Sequence, residues 1–389
     1  MPSSRPAFSL DRLGSLIAAL IGAAIFAAPF VTYRANRIAA GEPRMLLDAL
    51  PSGLAVAVIA ASLAVAAVAA GLRRPAWRLA AASFGLAVIA PAVGAAAWFV
   101  MPPGNTFARV SPALGFWLLG LAFALLVADS LTRLRLGPGA RLAALAAAAA
   151  FVALLLGSGA WSGLSILKEY ATRADSFWRE AGQHLFLALG SLLAAILVGL
   201  PLGILCHRAL RLRDATLQVL NVIQTIPSIA LFGLLMVPLG YLSATVPLAA
   251  ALGIHGIGGA PALVALFLYS LLPIVANTVV GLAQVPATVV EAARGMGLSG
   301  RQRLLQIELP LALPVILAGI RIVLVQNLGL ATVAALIGGG GFGTFVFQGI
   351  GQTAIDLVLL GAIPTVALSF AAAVILDAVI DLVSGRRDD

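Results

Sequence analysis

Glu291 to Pro310 reads EAARGMGLSGRQRLLQIELP, a polar and charged stretch in a chain that is otherwise almost continuously apolar. It carries Glu291, Arg294, Arg301, Arg303 and Glu308, and each charge held at mid-bilayer costs roughly 2.5–3.5 kcal/mol on insertion scales. The stretch therefore lies outside the lipid, between apolar runs that lie within it. Its punctuation predicts two short helices with a break. Pro286 suits a first helical position, and Val285, Val289, Ala292, Ala293 and Met296 recur at helical spacing. Gly297 suits the left-handed backbone that ends a helix. Ser299 and Gln302 have capping-box spacing, which predicts a second helix through Arg301, Leu304, Leu305 and Glu308 before Pro310. The expectation is a folded helical hairpin over 286–310, although a plain solvated connector obeys the same capping rules.

Working outward, the 389 residues are 61% apolar and 10% charged, with a mean hydropathy of +1.07. Soluble domains carry roughly one-quarter charged residues, so the chain reads as an all-α polytopic membrane protein. Runs long enough for a ~30 Å hydrocarbon core number ten. They are Leu13 to Val31, Ser52 to Leu72, Leu79 to Val100, Pro112 to Ala128, Leu142 to Trp161, Leu185 to Cys206, Leu217 to Gly240, Pro261 to Leu282, Leu311 to Ile337 and Leu357 to Val383.

A net charge of +9 would point to nucleic acid in a soluble protein, but here topology accounts for it. With the N-terminus inside, sixteen basic residues fall on the inner side: Arg5, Arg12, Arg73, Arg74, Arg78, Arg133, Arg135, Arg141, Arg208, Arg211, Arg213, Arg294, Arg301, Arg303, Arg386 and Arg387. Seven fall outside, namely Arg34, Arg37, Arg44, Arg109, Lys168, Arg173 and Arg179, and Arg321 alone lies within a span. This bias places both termini and the 291–310 stretch in the cytoplasm. The first span is long for a signal-peptide core and is expected to be retained. Cys206 has no partner for an intrachain disulfide and no metal-like neighbours.

Texture divides the chain into an Ala-rich N-terminal region, 1–165, of about five spans and a second region, 166–389, also of about five. Polar groups and prolines enter the spans of the second region, as in NVIQTIPSIALFG (Asn221 to Gly233) and LYSLLPIVANTVVGL (Leu268 to Leu282). Such residues are costly in hydrocarbon, so Asn221, Gln224, Thr225, Asn277 and Thr278 are candidates to line a pathway; bonding between helices is the competing role. Arg321 lies deep in the ninth span and needs a partner, with Asp377 on the last span one candidate by depth. The glycine run at 338–343 reads as a turn or a close helix contact.

There is no GxxxxGK[ST] phosphate loop, and the single lysine, Lys168, is followed by Glu169. No HExxH, paired-cysteine or serine-elbow motif is present. The chain is thus expected to be neither an ATPase nor another enzyme, and to hold no metal or cofactor.

The hairpin stretch resembles the EAA loop of ATP-binding-cassette importer permeases, with Glu291, Ala292, Ala293, Gly297, Ile307, Leu309 and Pro310 at that loop's positions. The order of NVIQTIPSIALFG, LYSLLPIVANT, EAARGMG, ELPLALPVILAGIR and IGGGGFG over about 185 to 384 is similar to the permeases of osmoprotectant importers for glycine betaine, choline and related quaternary amines. The resemblance implies a type I importer core and a location in the bacterial inner membrane. It also implies an ATPase dimer that consumes ATP and Mg on separate chains, a second permease copy and an external substrate-binding protein. The N-terminal spans are an extension that short permeases lack. The rival reading is a secondary transporter driven by an ion gradient, with Arg321 and Asp377 as the coupling pair.

Overall fold

The computed structural model describes residues 11–37, 39–102, 104–105 and 107–385. Arg5, Arg386 and Arg387 of the charge argument lie outside the described residues. The chain separates into two compact units, one from 1–136 with 146–172 and the other from 137–145 with 173–389.

In the first unit, α1 (Arg12–Phe26) leads to the short strands β1 (Val31–Arg34) and β2 (Glu42–Arg44) and one turn of helix, α2 (Leu46–Ala49). Then come α3 (Ser52–Gly71), α4 (Pro75–Val100), β3 (Arg109–Pro112), α5 (Leu114–Leu134), α6 (Pro138–Gly157) and α7 (Ser165–Thr172). The first turns of α6 belong to the second unit. The strands form an antiparallel sheet in the order β2-β1-β3, so the segments that follow α1 and α4 meet at one end of this unit.

The opposite end closes on Arg78. This side chain is 1% exposed, lies 2.6 Å from Asp11 and 3.2 Å from Asp129, and donates to the carbonyls of Leu72 and Ala69 at 2.6 Å each. A buried guanidinium is tolerable only with this degree of pairing. The clamp joins the start of α1, the α3–α4 turn and the end of α5, which fixes an up-and-down alternation of helices.

The second unit contains α8 (Ala174–Arg208), α9 (Leu210–Thr225), α10 (Ser228–Thr245), α11 (Pro247–Ala251), α12 (Gly259–Ala283), α13 (Ala287–Gly295), α14 (Gly300–Arg303), α15 (Leu309–Val333), α16 (Gly343–Gly351) and α17 (Ile355–Val383). The helices α8, α12 and α15 pack side by side, and small residues set the spacing. At Gly203 of α8, a Cβ would fall 2.6 Å from the Cβ of Thr278 on α12, so only glycine permits this approach. Between them Asn327, fully buried on α15, donates to Ser191 of α8 at 2.8 Å and Ser270 of α12 at 2.9 Å.

Among the described residues, nine helices are long and apolar enough to cross a membrane, four ending by Gly157 and five from Ala174 onward. The fold is a helical polytopic membrane protein, with two differences from the predicted spans. The first predicted span, Leu13 to Val31, is a helix of only 15 residues that ends at Phe26, because Val31 already pairs in the sheet. The predicted seventh span, Leu217 to Gly240, is cut at Pro227. Ile226 before it is extended (φ −71°, ψ 125°), the geometry a following proline imposes, and the crossing helix starts at Ser228. The sheet itself was not foreseen, since its strands are three or four residues long and carry Arg, Glu and Pro.

Candidate coupling site

The predicted hairpin is present, and its break is built from two interlocking caps. Pro286 is the N-cap of α13, where its missing N–H leaves no orphan donor. At the other end Gly297 adopts φ +79°. The Leu298 N–H bonds back to the Ala293 carbonyl at 3.2 Å, and the Gly297 N–H to the Arg294 carbonyl at 2.9 Å. These two bonds constitute a Schellman motif, which needs the left-handed residue that glycine supplies without a Cβ penalty. Ser299 then opens α14 with a reciprocal capping box. The Gln302 N–H donates to its hydroxyl at 3.3 Å, and its own N–H donates to the Gln302 side chain at 2.9 Å.

The second arm does not stop at Pro310. Residues Leu304–Glu308 form a π turn, with the Leu309 N–H bonded to the Leu304 carbonyl five residues back, and the chain continues straight into α15. Proline in a helix lacks a donor and crowds the carbonyl four residues earlier, and a wider turn relieves that crowding. The hairpin is consequently one continuous piece with a crossing helix. Leu304 and Leu309 pack on the cluster of Leu282, Ala312 and Ile316, which seats the second arm against α12 and α15.

The sequence positions divide by exposure. Ala293 is 1% exposed and faces inward, and Ile307 and Leu309 are half-buried. Glu291, Ala292, Gly297 and Pro310 are exposed. The apolar residues expected on one stripe of α13 therefore split, because Val289, Ala292 and Met296 lie outward while Ala293 anchors the helix. Met296 at 71% exposure and Leu305 at 50% leave apolar surface at the tip of a charged hairpin.

Behind the hairpin a cavity of about 620 Å³ opens between the end of α8 and the two arms. Its charged lining comes from Arg208, Glu291, Arg294, Arg303 and Glu308, with His207 beside them. Arg303 and Glu308 pair at 2.6 Å and cross-brace the second arm. Glu308 lies in the hairpin stretch marked out by sequence, whereas His207 and Arg208 were not singled out as members of this site. The only sequence signal of His207 and Arg208 is a pair of ionisable residues at the end of an apolar run.

The polar candidates within and beside the spans do not form one cluster. Asn221 and Thr225 are exposed on α9, and the Thr225 hydroxyl donates to the Val222 carbonyl of its own helix. Gln224 donates to the Tyr269 carbonyl of α12 at 2.8 Å. Asn277 and Thr278 donate to the Pro273 and Ile274 carbonyls one turn back, and Thr278 is fully buried. Arg321 of α15 pairs with Asp377 of α17. The three-helix network of Asn327, Ser191 and Ser270 escaped the sequence reading, since each is a single polar residue in a long apolar run.

Residues 191–388 match the family described as the binding-protein-dependent transport system inner membrane component. Residues 11–167 match the N-terminal domain of the ABC transporter permease YehY. The chain is 44% identical over 181 residues to the osmoprotectant import permease protein OsmW of Salmonella typhimurium, covering 46% of this chain and 79% of that one. It is 37% identical over 190 residues to the carnitine transport permease protein OpuCB of Listeria monocytogenes, covering 49% and 80%. With the glycine betaine/carnitine/choline permease OpuCB of Bacillus subtilis the identity is 35% over 198 residues, covering 51% and 84%. Among solved structures it is similar to a chain of the MetNI methionine ABC transporter, at 23% identity and a TM-score of 0.44 over 55% of this chain and 98% of that one.

Proposed function

The chain belongs to the family of inner membrane components of binding-protein-dependent transport systems, and from that premise we propose that it passes quaternary-amine osmoprotectants inward under the drive of a separate ATPase seated on residues 286–310. The chain is a non-catalytic permease subunit of an ABC importer. The observation that carries the coupling role is the form of the hairpin. Its two caps are fully bonded, its second arm runs unbroken into α15, and Val289, Ala292 and Met296 lie outward. A push on such a piece moves a crossing helix instead of bending a loop.

In this reading Glu291, Ala292, Ala293, Gly297, Ile307, Leu309 and Pro310 are the coupling positions, and ATP and Mg are used on the partner chains. An ATPase dimer, a second permease copy and an external binding protein complete the assembly. Both termini and the hairpin face the cytoplasm, as the charge bias supports. Residues 1–165 form an added membrane module and 166–389 the transport core. A pathway past Asn221, Gln224, Thr225, Asn277, Thr278 and Arg321 stays weakly selective. The chain has only four tyrosines and five tryptophans to hold a quaternary ammonium, which leaves selective capture to the external protein.

The test is reconstitution of the permease with its co-purifying ATPase and binding protein in vesicles, followed by uptake of labelled glycine betaine, choline and unrelated amino acids. Uptake of the quaternary amines that requires ATP and survives an ionophore is the expected result. Uptake abolished by the ionophore and indifferent to ATP would instead make Arg321 and Asp377 the coupling pair of a secondary transporter.

A further inference from the structure

We propose that the sheet end of the first unit holds the phosphate of an acidic phospholipid headgroup among Arg34 of β1, Arg109 of β3 and Lys168 of α7. Arg34 and Arg109 are register partners across the β1–β3 pair, so their side chains leave the same face of the sheet. Val31 and Val110, fully buried, belong to the other face. Like charges directly opposite one another weaken a sheet unless an anion sits between them. A third cation adds to the repulsion. The Lys168 ammonium donates at 2.9 Å to the carbonyl of Ala108, the residue before Arg109, and burial together with the Arg109 charge holds its pKa below the ordinary lysine value.

The chain's own carboxylates do not answer these charges. Glu42 pairs with Arg44 at 2.7 Å and Glu169 with Arg37 at 3.7 Å, and Asp48 of α2 makes no ion pair among the described residues. Among those residues Arg34 and Arg109 are half-buried without an ion-pair partner, and Nε of Arg109 is buried without an acceptor. Arg78, at the other end of the unit, shows how this chain equips an arginine that ties helices together, with two carboxylates and two backbone carbonyls.

Helix lengths put the cluster at headgroup depth. The 21 residues of α5 rise ~32 Å, close to the ~30 Å of a hydrocarbon core, and β3 ends two residues before α5 begins. The 26 residues of α4 rise ~39 Å, so its last turn passes beyond the core. Trp98 in that turn and Trp117 in the first turn of α5 are exposed, as tryptophans are at a membrane interface. The anion at this depth is the lipid phosphate, whose oxygens accept paired hydrogen bonds from a guanidinium fork. An acidic headgroup, with no ammonium of its own, gains most from three cations.

The test follows the thermal transition of the full chain, delipidated in detergent, as phosphatidylglycerol, phosphatidylcholine or soluble glycerol phosphate is added. Phosphatidylglycerol should raise the transition at a concentration at least about tenfold below that needed with phosphatidylcholine, and Arg34→Gln with Arg109→Gln should erase the difference. Without lipid the double variant should melt no earlier than the wild type, because it loses a repulsion. An earlier transition with the lipid difference intact would make the two arginines structural and overturn the proposal. Arg73→Gln with Arg74→Gln removes the same charge from the α3–α4 turn and should leave the lipid difference in place. Equal loss there would reduce the effect to net charge and contradict the site. Glycerol phosphate as effective as phosphatidylglycerol would assign the site to a free anion and overturn the lipid assignment. Native mass spectrometry of the wild-type chain decides the matter even if the double variant does not fold. Preferential retention of phosphatidylglycerol over phosphatidylcholine is expected, and equal retention overturns the site.

Discussion

Arg78 and Asn327 bury polarity in the two units by different means, and each predicts a distinct response. Arg78 has two acidic partners and two carbonyls, so Arg78→Met takes the buried donor from both carbonyls and leaves Asp11 and Asp129 with the more exposed Arg133 alone, and should cost ~3–5 kcal/mol of stability, read as an earlier thermal transition in detergent. Burial alone would raise the pKa of Asp11, but the Arg78 hydrogen bond and charge hold it below its ordinary value of 3.8. A carboxylate depressed in the folded state contributes stability that is present above pH 3.8 and lost as the pH falls through the folded value. Wild-type melting should therefore drop below about pH 4, and the Asp11→Asn chain should lose this part of the dependence. Asn327→Leu removes a milder link, because Ser191 and Ser270 also donate to carbonyls of their own helices at 2.6 Å. A loss of ~0.6–2 kcal/mol is expected there, the usual range for hydrogen bonds between membrane helices.

At the scale of the element, the hairpin owes its shape to a few local bonds, and these can be weakened without touching a span. Gly297→Ala forces a side chain into a left-handed backbone at φ +79° and should cost ~1–2 kcal/mol. Ser299→Ala breaks one half of the capping box and should cost ~0.5–2 kcal/mol. Both chains should reach the membrane at normal abundance yet show slower ATP-driven uptake, since a frayed hairpin absorbs motion that an intact one transmits. These two caps were legible in the sequence because glycine and the Ser299–Gln302 pair act on the backbone next to them. The π turn and the break at Pro227 were not legible in the same way. Prolines 91, 201, 238, 273, 314 and 364 all sit inside unbroken helices, so proline by itself does not mark where a helix ends. What distinguishes Pro227 is its setting, after an exposed, charged α9 that has no need to cross the lipid. The same limit hid Asn327, whose role depends on two other helices arriving at its depth.

For the whole molecule, hydropathy and charge placement carry most of the architecture, because the bilayer leaves few ways to satisfy a buried backbone. They say little about the three-stranded sheet, whose β1–β3 pairing joins residues 75 to 81 positions apart in chain order. They say equally little about which face of a span meets water. The division of labour between a passive permease and a separate motor is the central claim at this scale, and it stands on the hairpin. The most direct measurement compares ATP-driven uptake of labelled glycine betaine by the wild-type chain and by Glu291→Lys, with the same ATPase and binding protein and with membrane abundance matched. The account predicts that Glu291→Lys inserts normally and loses at least about tenfold in uptake, the effect of removing one desolvated charge contact at an interface. Uptake at the wild-type rate would contradict it.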